Sequence, residues 1–334
     1  MARIFRTKCY CWPLCLLVLL FATPAFAVTN ILVGSSESHS IEKFDTSGVW
    51  LKTFASTGPW IPFGIAVSPV TNDVFAATMT GPTANIILRY RSSGAPFGPS
   101  GSYWSTFDVS TYFSNNPVQS IAFDSSGNLY VASDFGTDGF HVVIRKFLAA
   151  QLLAKVPIAA KTPVITTTTG RGNQMAFDQA GDLCIASFDS PNTVQCYNTS
   201  TGALVYDYAP EFAGFSPSIQ PVGLAFGPNN NLYVTSVFAG QLVFEQTERT
   251  GPMVALASGL VNDIGYIAID SAGALYVPSF HNPEGRYAGC IFYACMDYDT
   301  SSDVIYKVDP NTALVTNFIT SHIWGPYQMI FVPF

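Results

Sequence analysis

Apolar and polar positions along this chain alternate in one phrase that recurs six times. An apolar run, Ile121-Ala122-Phe123, is followed by a polar turn, Asp124-Ser125-Ser126-Gly127. The alternating run Asn128-Leu129-Tyr130-Val131-Ala132-Ser133 comes next. Two β-strands around a tight turn carry this pattern, and Gly or Asn in the turn tolerates a positive φ. The copies begin at Pro62 (PFGIAVSPVTNDVFAAT), Pro117 (PVQSIAFDSSGNLYVAS), Gly172 (GNQMAFDQAGDLCIAS), Pro221 (PVGLAFGPNNNLYVTS) and Ile264 (IGYIAIDSAGALYVPS). The sixth, GPYQMIFVPF from Gly325, stops at the last residue.

Each copy is followed by a third strand-like segment: SIEKFDTSG from Ser40, NIILRYRSSG from Asn85, HVVIRKFLAA from His141, TVQCYNTSTG from Thr193, QLVFEQTERTG from Gln241 and DVIYKVDPNTA from Asp303. A fourth follows, from Val49, Tyr103, Leu152, Ala203, Met253 and Leu314. Four strands per unit of roughly 45–60 residues predict an all-β propeller of six four-stranded blades. The chain opens on a second strand, Ile31-Leu32-Val33, and closes on a first strand, Met329-Ile330-Phe331-Val332. One blade is therefore shared between the two ends, and their pairing closes the ring and removes the exposed edges. An open β-sandwich and a seven-bladed ring with one degenerate blade are the alternatives.

Composition places this fold outside the cytoplasm. Arg3, Arg6 and Lys8 precede an apolar run from Pro13 to Ala22, and Ala25-Phe26-Ala27 supplies a small-x-small cleavage pattern. Residues 1–27 read as a signal peptide, residues 28–334 as the propeller, and the mature chain as secreted or periplasmic with no membrane span. Charged residues make up 11% and aromatic residues 14%, with a net charge of −7 and no Lys/Arg cluster. Nucleic acid is thus a poor partner. Four cysteines survive cleavage, and an exported chain would pair them. Cys184 and Cys196 lie on successive strands either side of a turn, and Cys290 and Cys295 would close a small loop. A monomer is expected.

The phrase P-x-G-I/L-A-F/V-D-x-x-G-N-L-Y-V-A/T-S, followed by a strand ending in D-x-x-G, resembles the NHL-repeat unit. It is also similar to the blades of SMP-30/gluconolactonase-like and strictosidine-synthase-like propellers. The resemblance spans residues 28–334 and implies blade type. Those families include lactonases, lyases and binding scaffolds, so the activity is not implied. The lactonase-like relatives hold a divalent metal with Glu, Asn and Asp. Asn173, just before QMAFD, matches the Asn, and Asp263 would supply a carboxylate, whereas STGPWIPFG before Ile65 lacks the Glu.

Short turns are expected on one face of the ring and long irregular loops on the other, where function concentrates. His39, His141, His281 and His322 all fall on or beside the irregular face. So do the segments entering the first strands, which carry Trp60 and Phe63, Gln119, Arg171, Asn173 and Gln174, then Tyr266, Trp324, Tyr327 and Gln328. Aromatics that stack beside amides that donate and accept suit a small polar ligand. The insertion from Ser279 to Ser302 carries His281, Arg286 and the Cys290/Cys295 pair, and would form a lid. The first expectation is a scaffold that binds a small polar molecule, a glycan or a protein segment. The alternative is a metal-assisted lactonase-type hydrolase or a lyase at the channel mouth. There His141, His281 or His322 with Asp263 and Asn173 would hold one Ca, Zn, Mn or Mg ion or move a proton, and Arg286 or Arg171 would neutralise an anionic substrate.

Overall fold

The computed structural model describes residues 30–79, 85–96, 106–109, 113, 118–133, 141–152, 164–167, 172–187, 192–212, 215, 219–236, 242–247, 251–260, 263–280 and 303–334. These residues form six antiparallel sheets arranged as propeller blades. Blade 1 unites the two ends of the chain: Pro326–Val332 is its inner strand, then Asn30–Ser35, Ser40–Asp45 and the outer strand Trp50–Ser56. The inner strands of blades 2 to 5 are Ile61–Val67, Val118–Phe123, Gly172–Phe177 and Pro221–Phe226. In blade 6 the inner strand is interrupted: Asp263–Ile264 and Ala268–Ile269 both pair with Leu275–Phe280.

Ring closure is an antiparallel ladder with one register shift, at Gly34/Ser35. Ile31 faces Phe331, Leu32 faces Ile330 and Val33 faces Met329. Asn30 Nδ2 adds a hydrogen bond to the Phe334 carbonyl at 2.6 Å. The six-bladed ring with terminal closure, expected from the repeat, is thus the observed architecture.

The second strands show why the sequence requires a ring. They read as nearly continuous apolar runs, and Leu129–Ser133, Leu183–Ser187 and Leu232–Ser236 are buried throughout. A sheet buried on both faces needs a neighbour on each side. One core accordingly fills each space between blades. Blades 2 and 3 enclose Phe75, Ile87, Ile121, Val131 and Phe147. Blades 6 and 1 enclose Ile31, Phe44, Ile305 and Met329.

The turns of the repeat behave as their chemistry dictates. Asp124 Oδ1 accepts from the Ser126 and Asn128 N–H groups at 3.0 and 2.9 Å, and Asp270 accepts from Ala272 and Ala274 in the same way. The residue that closes each of these turns has a left-handed backbone, which glycine adopts without a Cβ clash: φ is +81° at Gly127 and +90° at Gly273.

One expectation needs correction. The outer strand of blade 3 is not the segment from Leu152 but Ile165–Thr166. The chain first makes a helical turn, Ala149–Leu152, built from good helix formers and capped where the Leu148 N–H donates to Gln151 Oε1 at 2.7 Å. Leu152 turns inward, and its carbonyl accepts from Arg89 Nη1 at 2.6 Å.

Two outcomes follow from this architecture. Deleting Tyr327–Phe334 removes most of the inner strand of blade 1 and exposes two cores, so the truncated chain should lose its cooperative thermal transition in circular dichroism. Cys184 and Cys196 are directly opposed across strands two and three of blade 4 and joined as a disulfide, 12 residues apart in sequence. Replacing both with Ala should lower the unfolding free energy by about 3 kcal/mol, read from urea denaturation.

Candidate functional site

The innermost strand of each blade is paired on one side only, so half of its backbone groups point at the axis and need partners. The inner strands of blades 1 to 5 meet this need with a bulge, and that of blade 6 is interrupted. Register shifts fall between Pro62 and Gly64, Val118 and Ser120, Gly172 and Met175, and Pro221 and Gly223. Counted from Pro62, Val118, Gly172, Pro221 and Pro326, the third residue is Gly64, Ser120, Gln174, Gly223 and Gln328, and the three that carry side chains reach to the next blade. There Gln328, Ser120 and Gln174 each cap the N–H of that blade's fourth residue. Gln328 Oε1 accepts from Ile65 N–H (2.6 Å), and Ser120 Oγ accepts from Met175 N–H (2.9 Å).

Gln174 spans two blades. Its Oε1 accepts from both Leu224 N–H (3.0 Å) and Ile267 N–H (2.9 Å), and its Nε2 donates to the Ile267 carbonyl (2.9 Å). It reaches past blade 5 because the third residue there is Gly223. A Cβ at that position would lie 2.8 Å from the Ile267 nitrogen. The amides of Gln174 and Gln328, read from the sequence as ligand contacts, are thus bonded to neighbouring blades.

The second residue of each copy has a different direction. Phe63 from blade 2, Val222 from blade 5 and Tyr327 from blade 1 meet in one cluster with Tyr266, although blades 2 and 5 stand opposite each other. Tyr327 packs edge-on against Phe63 at 5.1 Å and against Tyr266 at 4.8 Å. These side chains therefore fill the axis. In blades 3 and 4 the same position holds Gln119 and Asn173, only 2% and 1% exposed. Gln119 Oε1 and Asn173 Nδ2 are buried without a hydrogen-bond partner. A buried amide atom without a protein partner is costly, and water or a ligand is its natural complement. The axial mouth has an aromatic half (Phe63, Tyr266, Tyr327) and an amide half offering one acceptor and one donor.

The other candidates lie elsewhere. The His322 ring stacks on Trp50 of the outermost strand of blade 1, with centroids 4.5 Å apart, and meets Trp324 edge-on at 6.3 Å. Both belong to the rim between blades 6 and 1, away from the axial set. Trp60 packs into the core between blades 1 and 2. His141 is half-buried just before the third strand of blade 3, Val143–Phe147. Asp263 begins the inner strand of blade 6 opposite Phe280, and only its backbone is described. Arg171, His281, Arg286, Cys290 and Cys295 lie outside the described residues, as do residues 1–29 and most of the insertion. Among the described residues no three His, Cys, Asp or Glu side chains gather as metal ligands. The inner strand of blade 2 has no carboxylate between Ile61 and Val67. The described residues do not assemble the Glu, Asn and Asp set of the lactonase-like propellers. Sequence reading missed the clasp residue Ser120 and the stacking partner Trp50. Aligning the six copies by position marks Ser120, whereas no local signal marks Trp50.

This geometry defines a class, the six-bladed β-propeller with an aromatic and amide axial mouth. Residues 112–135 match the family model described as a two component regulator propeller. No curated protein matches the chain. Among solved structures it resembles a protein of unknown function from Bacteroides caccae, with a TM-score of 0.62 and 12% identity over 92% of this chain and 99% of that one. A nidogen/laminin complex chain gives 0.63 and 12%, covering 91% and 98%. Streptogramin B lyase gives 0.55 and 12%, covering 88% and 80%. At such identity the likeness speaks for the fold alone.

The two kinds of amide should separate by mutation. Gln174→Leu strips partners from Leu224 N–H and from both backbone groups of Ile267, at a cost of about 3–6 kcal/mol. Gln119→Leu removes an unsatisfied buried acceptor and should raise stability by about 1 kcal/mol. Urea denaturation of both variants reads the difference, and equal destabilisation would sink the distinction between clasp and mouth.

Proposed function

We propose that this chain is an NHL-like propeller acting as a ligand-binding scaffold in a secreted or periplasmic setting, with the axial mouth as its site. One observation carries this reading: Gln119 Oε1 and Asn173 Nδ2 are buried without a hydrogen-bond partner, in adjacent blades at the repeat position that is Tyr327 in blade 1 and Phe63 in blade 2. Their complement is one donor and one acceptor next to an apolar surface. A secondary amide, or a sugar presenting hydroxyls on one edge and C–H groups on its face, has this form. We therefore favour a small polar molecule, or the end of a glycan, over an extended protein segment. Both amides are almost fully buried, so a ligand would reach them only if the side chains filling the axis moved aside. The Cys184–Cys196 disulfide supports export into an oxidising compartment. Among the described residues no helix is long and apolar enough to cross a membrane.

Isothermal titration with N-acetylglucosamine and with glucose tests this reading. Saturable heat is expected for at least one, weakened about tenfold or more in the Gln119→Leu/Asn173→Leu double variant. The same double variant should unfold at higher urea, since it loses two unsatisfied groups. Retention of the ligand is expected of a scaffold; heat that continues after saturation would point instead to the hydrolase or lyase alternative. No binding of either probe, or equal binding by the double variant, would overturn the assignment of the mouth.

A further inference from the structure

The short-turn face carries a second pattern that the repeat makes visible. In each blade the second residue of strand two lies opposite one residue of strand three. That pair is Phe75 and Arg89 in blade 2, Tyr130 and Lys146 in blade 3, and Tyr276 and Lys307 in blade 6. In all three the cation lies over the ring, at 5.2, 5.1 and 5.3 Å from its centroid. A turn aspartate sits beside each pair: Arg89 Nε donates to Asp73 at 3.0 Å, Lys146 lies 3.8 Å from Asp124, and Tyr276 donates to Asp270 at 3.1 Å. Blade 1 keeps the cation as Lys43 opposite Leu32. Blade 4 replaces the pair with its disulfide.

Blade 5 reverses the charge. Tyr233 lies opposite Glu245, and the turn aspartate is replaced by Gly227, where a Cβ would come within 3.0 Å of the Tyr233 ring. Glu245 Oε1 accepts from Asn231 Nδ2 at 3.0 Å and from the Tyr233 hydroxyl at 2.8 Å. Burial, and then this bond to the carboxylate, push the Tyr233 phenol up to about 12, so it stays a donor. Among the described residues, Glu245 Oε2 has no hydrogen-bond or ion-pair partner. The carboxylate lines a cavity of about 320 Å³ between the turns of blades 5 and 6, whose other polar walls include Asn229, Ser271 and Asn311. Where three other blades hold their own cation over an aromatic ring, this blade presents an anchored anion and an open space beside it.

We propose that this groove is a binding site for a primary alkylammonium group, with Glu245 as its counter-ion. A guanidinium seeks both oxygens of a carboxylate in a planar fork, and here Oε1 is already taken. A compact ammonium needs one carboxylate oxygen and has further donors for neutral acceptors, which Asn229, Ser271 and Asn311 can provide. A single carboxylate is a poor match for calcium, whose sites gather several oxygen ligands.

The test titrates the intact protein at low salt with pentylamine, using pentanol as the neutral control. Saturable binding of the amine alone is expected. Glu245→Gln keeps an acceptor for Asn231 and Tyr233 and should weaken binding about tenfold or more with little change in melting temperature. Ala272→Phe, which fills the groove and leaves Glu245 in place, should weaken it comparably. Parallel titrations with cadaverine and with Nα-acetyl-lysine methylamide identify the source: tighter binding of the first indicates a free amine, of the second a lysine side chain. The proposal fails if the intact protein does not bind pentylamine, if pentanol binds as well, or if Glu245→Gln binds unchanged. It also fails if calcium binds at Glu245 and the amine does not displace it.

Discussion

Both faces of every blade are apolar, and a sheet of that kind is stable only with a neighbour on each side. A ring satisfies this for all six blades at once and leaves no outermost blade with a bare face. The rest of the molecule follows from that constraint. The chain ends must meet within one blade, or one interface would remain open. The inner strands must converge on an axis, and their unpaired edges must find partners where no further strand fits. The bulge in the inner strands of blades 1 to 5 answers the last demand. It turns one side chain toward the neighbouring blade as a clasp and the preceding one toward the axis.

That division explains what the sequence could and could not disclose. The repeat made the blade boundaries legible, and the closing pair was legible because the last copy lacks its second strand while the first strand of the chain lacks its partner. The short Asp-x-x-Gly turns were legible from local chemistry alone. The roles of Gln119 and Gln174 were not. Both are amides in the same stretch of their repeats, yet one sits at the second position and faces the axis, while the other sits at the third and bonds across two blades. Only the bulge separates them, and a bulge leaves no residue signature when its first position varies from Phe to Gln to Asn. His322 was read as a mouth residue because it precedes an inner strand. Its ring instead lies on Trp50, a contact between residues far apart in the chain that no local pattern encodes. Blade 3 departed from the repeat because Ala149-Ala150-Gln151 prefer a helical turn and Leu152 finds a buried place before the chain reaches the outer edge.

The two ends of the ring use the same scaffold in opposite ways. At the axial mouth, position two of the repeat changes from aromatic to amide halfway round, so chemistry is made by breaking the symmetry of a packed core. On the short-turn face the strand-three position is cationic in most blades and anionic in blade 5, so chemistry there comes from reversing a charge. In both cases the repeat supplies the reference against which a single residue stands out. Buried polar atoms without partners are rare in folded proteins, and each one tolerated has a reason.

The pairing of Asn30–Ser35 with Pro326–Val332 also governs how the molecule must be made. The strands nearest the start of the chain cannot complete their blade until almost the whole sequence has been synthesised. Contacts this distant in sequence close large loops and fold slowly, after local hairpins have formed. Until then, blade 1 is a three-stranded sheet with an open inner edge beside unfilled apolar faces, the kind of surface that associates with other chains. A passage through the cell in which the chain is kept unfolded until complete would spare it that exposure.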